Sequence, residues 1–134
     1  MPVSRRLIIG ILAAASVVAL AVLVVQWRGR DNDRRIEAEL SEAVDALRPF
    51  PRRIDEATEI LEARAEGRRM TYVYRVTRDE PLDIEQQRLR LRRIVCGSEA
   101  MRRSIGQGVT FIYEYRGPGD AQPVLGRVEV GACE

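Results

Sequence analysis

The sequence predicts an α+β fold: an N-terminal transmembrane helix followed by a small antiparallel sheet with helices inserted between its strands. Three observations predict it. Leu7 to Val25 is a run of nineteen uncharged residues, opened by Arg5 and Arg6 and closed by Gln26, Trp27, Arg28 and Arg30. In two later stretches Met70, Tyr72, Tyr74 and Val76 alternate with Thr71, Val73, Arg75 and Thr77, and Val109, Phe111, Tyr113 and Tyr115 alternate with Thr110, Ile112, Glu114 and Arg116, the period of a strand. Between them, Ile84, Leu91, Ile94 and Val95 share a face at helical spacing. The chain divides accordingly into an anchor over 1–27, a juxtamembrane amphipathic helix over 28–50 and an α+β extramembrane domain over 51–134.

The apolar run comes first. A helix of that length spans roughly 28 Å, close to the roughly 30 Å hydrocarbon core of a bilayer. A cleaved leader would use Ala19-Leu20-Ala21, yet Val22-Leu23-Val24-Val25 carries the apolar run past that point. A lipoprotein leader is excluded, because the first cysteine is Cys96. Membrane lipid is therefore an expected partner. The charge rule favours a cytoplasmic C-terminal side, since Arg28, Arg30, Arg34 and Arg35 outnumber Arg5 and Arg6. Two cysteines in a short domain favour an oxidising compartment instead. The cysteines decide the expectation: bacterial inner membrane, single-pass, with the C-terminal domain in the periplasm.

Ile36, Leu40, Ala43, Val44 and Leu47 then recur at steps of three and four, a stripe better explained by packing on the protein's own domain than by a free stalk. Pro49 and Pro51 end that helix. Residues 52–66 pair with the Met70–Thr77 strand as a hairpin turned near Glu66-Gly67. Asp79-Glu80-Pro81 breaks the strand; Asp83 opens the next helix, and Ser98 caps a short one from Glu99 to Ile105. Val109–Arg116 and Val124–Cys133, joined by Gly117-Pro118-Gly119-Asp120, close the sheet.

Composition removes whole classes of chemistry. There is no His, and the 22 basic residues are all Arg, so the chain can assemble no Ser-His, Cys-His or Ser-Lys nucleophile, no Schiff-base lysine and no His-ligated metal. From Asp31 onward, 18 arginines face 20 acids, a poor balance for neutralising phosphates, so nucleic acid is not an expected partner. The acids Asp79, Glu80, Asp83 and Glu85 read as a turn and helix cap rather than a cation site. No catalytic residue, cofactor or metal site is assigned, and the protein is read as non-enzymatic; a carboxylate-only enzyme using Asp79, Asp83 and Asp120 is the reading this displaces.

Two constellations remain. Cys96 ends a helix and Cys133 ends the last strand, and a structural disulfide between them is expected to staple the domain. Arg88, Arg90, Arg92, Arg93, Arg102 and Arg103 form the densest basic patch; five of them (Arg88, Arg92, Arg93, Arg102 and Arg103) are the candidate interaction surface, set against the plainer reading of a solvated helix face.

The succession Pro51-x-x-Ile54-Asp55-x-x-Thr58, Tyr72-x-Tyr74, Cys96, Gly108, Tyr113-x-Tyr115 and Cys133 resembles small, functionally unassigned bacterial envelope proteins, anchored or lipidated, with a C-terminal cysteine pair. The resemblance implies a fold and a compartment and carries no activity. The start of the chain also resembles a type IV prepilin in outline, with a basic leader, Gly10, an apolar helix and a late cysteine pair. It departs from that family at Ala15, where a glutamate is usual. The expected function is an accessory subunit of a membrane complex, binding other membrane or periplasmic proteins. A minor pilin or pseudopilin-like subunit is the alternative.

Overall fold

The computed structural model describes residues 5–77, 81–119, 121 and 123–134, with side chains from residue 14 onward. Helix α1 (Arg5–Leu47) is followed by β1 (Arg52–Arg53), β2 (Thr58–Glu66), β3 (Arg69–Val76), α2 (Ile84–Gly97), α3 (Glu99–Gly106), β4 (Thr110–Arg116) and β5 (Val124–Val130). The chain divides into two units, Met1–Arg35 and Ile36–Glu134.

In the first unit, the described part of the apolar run is exposed throughout, with Val17 at 67%, Leu20 at 61% and Val25 at 70%. Among the described residues no helix is long and apolar enough to cross a membrane. The transmembrane anchor expected over Leu7–Val25 is therefore not shown; the side chains of residues 7–13, which supply the start of that run, lie outside the described residues.

The second unit is a mixed five-stranded sheet in the order β1-β2-β3-β4-β5. All neighbours are antiparallel except β3 and β4, which run parallel in the register Met70↔Phe111, Tyr72↔Tyr113 and Tyr74↔Tyr115. This corrects the fully antiparallel sheet expected from the sequence. A parallel pair needs a long crossover, and α2 with α3 provides one between β3 and β4. The β2–β3 hairpin has the two-residue loop Gly67-Arg68, with Gly67 at φ +59°, a conformation only glycine adopts cheaply.

The helices cover one face of the sheet. Ile36, Leu40 and Val44 of α1 and Leu91 and Val95 of α2 join Ile60, Ala63, Met70, Phe111, Tyr113, Tyr115, Val128 and Val130 in a single core. The stripe read from the sequence thus packs on its own domain. Asp83 caps α2 by accepting from the Gln86 amide at 3.1 Å, and Ser98 caps α3 by accepting from the Met101 amide at 3.3 Å. These caps satisfy amides that a helix end leaves open. Cys96 and Cys133 form the expected disulfide, with Cα atoms 5.5 Å apart.

The opposite sheet face carries paired charges: Arg75 with Glu59, Arg64 with Glu62, Arg127 with Glu129 at 2.8 Å and Arg69 with Glu129 at 3.4 Å. Val73 and Ile112 lie on this face yet are 0% and 2% exposed. Long charged side chains beside them in the ladder shelter apolar surface with their methylene stems while keeping the heads in water.

Candidate functional site

One end of the helix-covered face opens into a groove of about 340 Å³ between α2 and the start of β2. Its α2 wall is Gln87, Arg90, Leu91 and Ile94. The facing wall is Ile54, Asp55, Ala57 and Thr58, while Tyr74, Val76, Leu82 and Tyr115 complete the lining. Local hydrogen bonds fix the second wall. The Asp55 carboxylate accepts from the Ala57 amide at 2.8 Å, the Ile54 amide donates to the Thr58 carbonyl at 3.0 Å, and Arg53 donates to the carbonyls of Asp55 and Glu56. The loop is thereby a firm rim rather than a loose tip.

The groove is mostly apolar with a few placed polar groups, the usual make-up of a binding site. Ile54 and Ile94 both line it and stay 54% and 52% exposed to solvent. Two exposed isoleucines lining one groove present surface that gains from being covered.

Its floor belongs to a ladder of four tyrosines. The parallel β3–β4 register sets Tyr72 beside Tyr113 and Tyr74 beside Tyr115, and the rings stack at centroid distances of 5.2 and 5.6 Å. Burial disfavours the phenolate and pushes all four hydroxyls above their usual 10.0. At Tyr115 the nearby Arg90 guanidinium works in the other direction, favouring the phenolate. The hydroxyls are thus neutral donors and acceptors at physiological pH, and Arg90 supplies the positive charge of the groove.

The residues singled out from the sequence lie elsewhere. Arg88 pairs with Glu85 at 2.9 Å, Arg103 pairs with Glu99 at 3.4 Å, and Arg92 donates to the Glu134 carbonyl at 2.6 Å. Arg93 and Arg102 are exposed. None of these five lines the groove. Arg90 does, although the sequence counts it as one arginine among six. The signal that separates it is helical phase: four residues set Arg90 beside Ile94, whereas Arg88 and Arg92 occupy another side of α2. Ile94, expected in the core, instead stands at the groove mouth. Among the acids, Asp83 is the α2 cap, while Asp79, Glu80 and Asp120 lie outside the described residues. No group of three or more metal-ligating side chains occurs among the described residues.

By sequence, no protein-family model and no curated protein matches the chain. Solved structures do match its fold. A candidate secreted protein of Pseudomonas aeruginosa superposes with a TM-score of 0.67 at 16% identity, over 77% of this chain and 96% of that one. The pilotin EpsS of the Vibrio vulnificus type 2 secretion system gives 0.64 at 14% identity, over 78% and 96%. AspS, a type II secretion system pilotin of Vibrio cholerae, gives 0.60 at 15% identity, over 75% and 93%. The chain therefore shares its fold with two secretion-system pilotins and a candidate secreted protein, over 93–96% of their lengths.

Proposed function

We propose that this protein is a non-enzymatic accessory component of a bacterial secretion complex, of the pilotin kind, which receives a segment of a protein partner in the groove between α2 and β2. The observation that carries the reading is a preformed, mainly apolar groove with one cation, Arg90, on a fold shared nearly end to end with two pilotins. An amphipathic segment fits it: apolar side chains cover Ile54 and Ile94, and a carboxylate meets the Arg90 fork. The apolar half of α1 is the tether, a single pass of the inner membrane with the domain on the periplasmic side. Its exposed valines and leucines, its arginine flanks and the Cys96–Cys133 bond support that placement. The groove rather than the basic patch is the binding surface in this reading.

The test places a photocrosslinking amino acid at Ile94 of the full chain in native membranes, with Arg93 as the control position. A crosslink to a secretion-system component from Ile94, lost in Arg90→Glu, is the expected result. Adducts of equal yield from both positions, or catalytic turnover by the purified chain, would overturn the proposal. One feature favours a second reading as a minor pilin, namely that α1 runs unbroken from Arg5 to Leu47. Processing after Gly10 separates the two.

A further inference from the structure

The two edges of the sheet are unequal. One is closed by β1, two residues long and both arginine, whereas the other is the seven-residue β5. A short charged edge resists strand addition, but a long edge leaves a row of backbone amides and carbonyls available for it. Val124 and Leu125 are 62% and 41% exposed at the start of that edge.

From these features we infer that β5 is a homodimer interface, joining two copies antiparallel across a two-fold axis into one ten-stranded sheet. The occupant is argued from charge. A two-fold perpendicular to the sheet sets one residue of β5 opposite its own copy. The register of longest overlap opposes Arg127 to Arg127, which repels. Sliding the copies by two residues moves the axis to Val128. Arg127 of each copy then faces Glu129 of the other, giving two symmetric ion pairs on the charged face of the sheet. On the helix-covered face Val128 meets Val128, and Val130 meets the small Gly126. In the single chain Arg127 and Glu129 pair with each other yet are 52% and 50% exposed, so each can reach the second copy.

Helix α2 gives an independent check. Ile84 sits over Gly126, and Cys96 is bonded to Cys133, so α2 runs alongside β5 in the same direction. An axis through Val128 meets α2 at about residue 88, scaling along the two elements by their rise per residue. Such an axis brings Glu85 of one copy opposite Arg92 of the other. Both residues lie on one side of α2, seven apart, and Arg92 marks the β5 side through its bond to the Glu134 carbonyl. Leu89, 60% exposed, lies near the axis. Strand and helix therefore select the same axis.

The test uses the full chain in detergent, with mass measured by sedimentation and folding checked by circular dichroism. The wild type is expected to dimerise, and Arg127→Glu or Glu129→Arg alone to weaken the dimer about tenfold, since each turns two attractive pairs into repulsive ones. An equimolar mixture of the two single variants restores the dimer, because every facing pair is again of opposite sign. The doubly exchanged chain R127E/E129R keeps its intrachain pair, and it is expected to dimerise with itself but not with the wild type. This last chain decides the matter if a single variant fails to fold. A monomeric wild type, or a dimer indifferent to these exchanges, would overturn the inference and leave the groove reading untouched.

Discussion

Gly126 offers the sharpest check on how α2 is seated on the sheet. A Cβ built there falls 2.0 Å from Ile84 Cδ1 and 2.6 Å from Ile84 Cγ1, well inside van der Waals contact. In an open strand Gly→Ala is favourable by roughly 0.5–1 kcal/mol, because alanine loses less backbone freedom on folding. Here the added methyl must displace the end of Ile84, which packs against the core from the first turn of α2. Overpacking of this kind costs about 1–3 kcal/mol, so the clash outweighs the entropy gain and the sign reverses. For a folded unit of about 100 residues each kcal/mol moves Tm by about 4–8 °C. Thermal unfolding of Gly126→Ala, followed by near-UV circular dichroism, should therefore show a fall of several degrees. The companion experiment is Ile84→Ala, which removes both clashing atoms. Adding Gly126→Ala to that background is expected to be neutral or stabilising, a coupling of at least about 1 kcal/mol. A stabilised single variant, or equal losses in both backgrounds, would refute the packing of α2 on β5 deduced above.

Other outcomes follow from the same structure. Cys96→Ser with Cys133→Ser opens a bond between residues 37 apart and should cost about 4 kcal/mol in the chain-entropy account, read as a lower urea midpoint with the slope checked for two-state behaviour. The four tyrosines titrate higher when folded than the 10.0 of the free side chain, so the folded state keeps protons that the unfolded chain releases. Stability should be flat below about pH 9 and fall as pH rises through 10, each phenol contributing up to about 1.4 kcal/mol per pH unit. Tyrosinate absorbance of the folded protein should lag that of the unfolded chain; coincident titrations would contradict a buried ladder. Peptide mass spectrometry of the membrane-extracted protein should recover an uncut peptide spanning Gly10–Ile11. Recovery of a chain starting at Ile11 would instead favour the pilin reading.

Much of the fold could be read in the chain because the relevant physics is local. The alternation of Met70, Tyr72, Tyr74 and Val76 fixes which residues of β3 share one face, the one the helices cover, whatever strand lies beside it. Asp83 and Ser98 cap the helices expected of them, since a cap involves only the next three residues. The direction of β4 relative to β3 was not legible in this way, because alternation is identical in parallel and antiparallel strands. The groove was hidden for a related reason. It joins residues 54–58 to residues 82–94 through Tyr74 and Tyr115, and helical periodicity places Ile94 on the apolar side of α2 without saying where the sheet beneath it stops.

Sequence alone determined what depends on residue type and near neighbours: the exclusion of histidine and lysine chemistry, the apolar run of α1, the buried stripe beginning at Ile36 and the positions of strands and caps. Tertiary structure decided what depends on which distant segments meet. It brought Cys96 to Cys133, set the four tyrosines in one stack, left β5 as the long edge and drew Arg90 out of six arginines to face a groove. Periodicity is a property of the chain, whereas a concave surface exists only where two elements far apart in sequence come together and leave space between them.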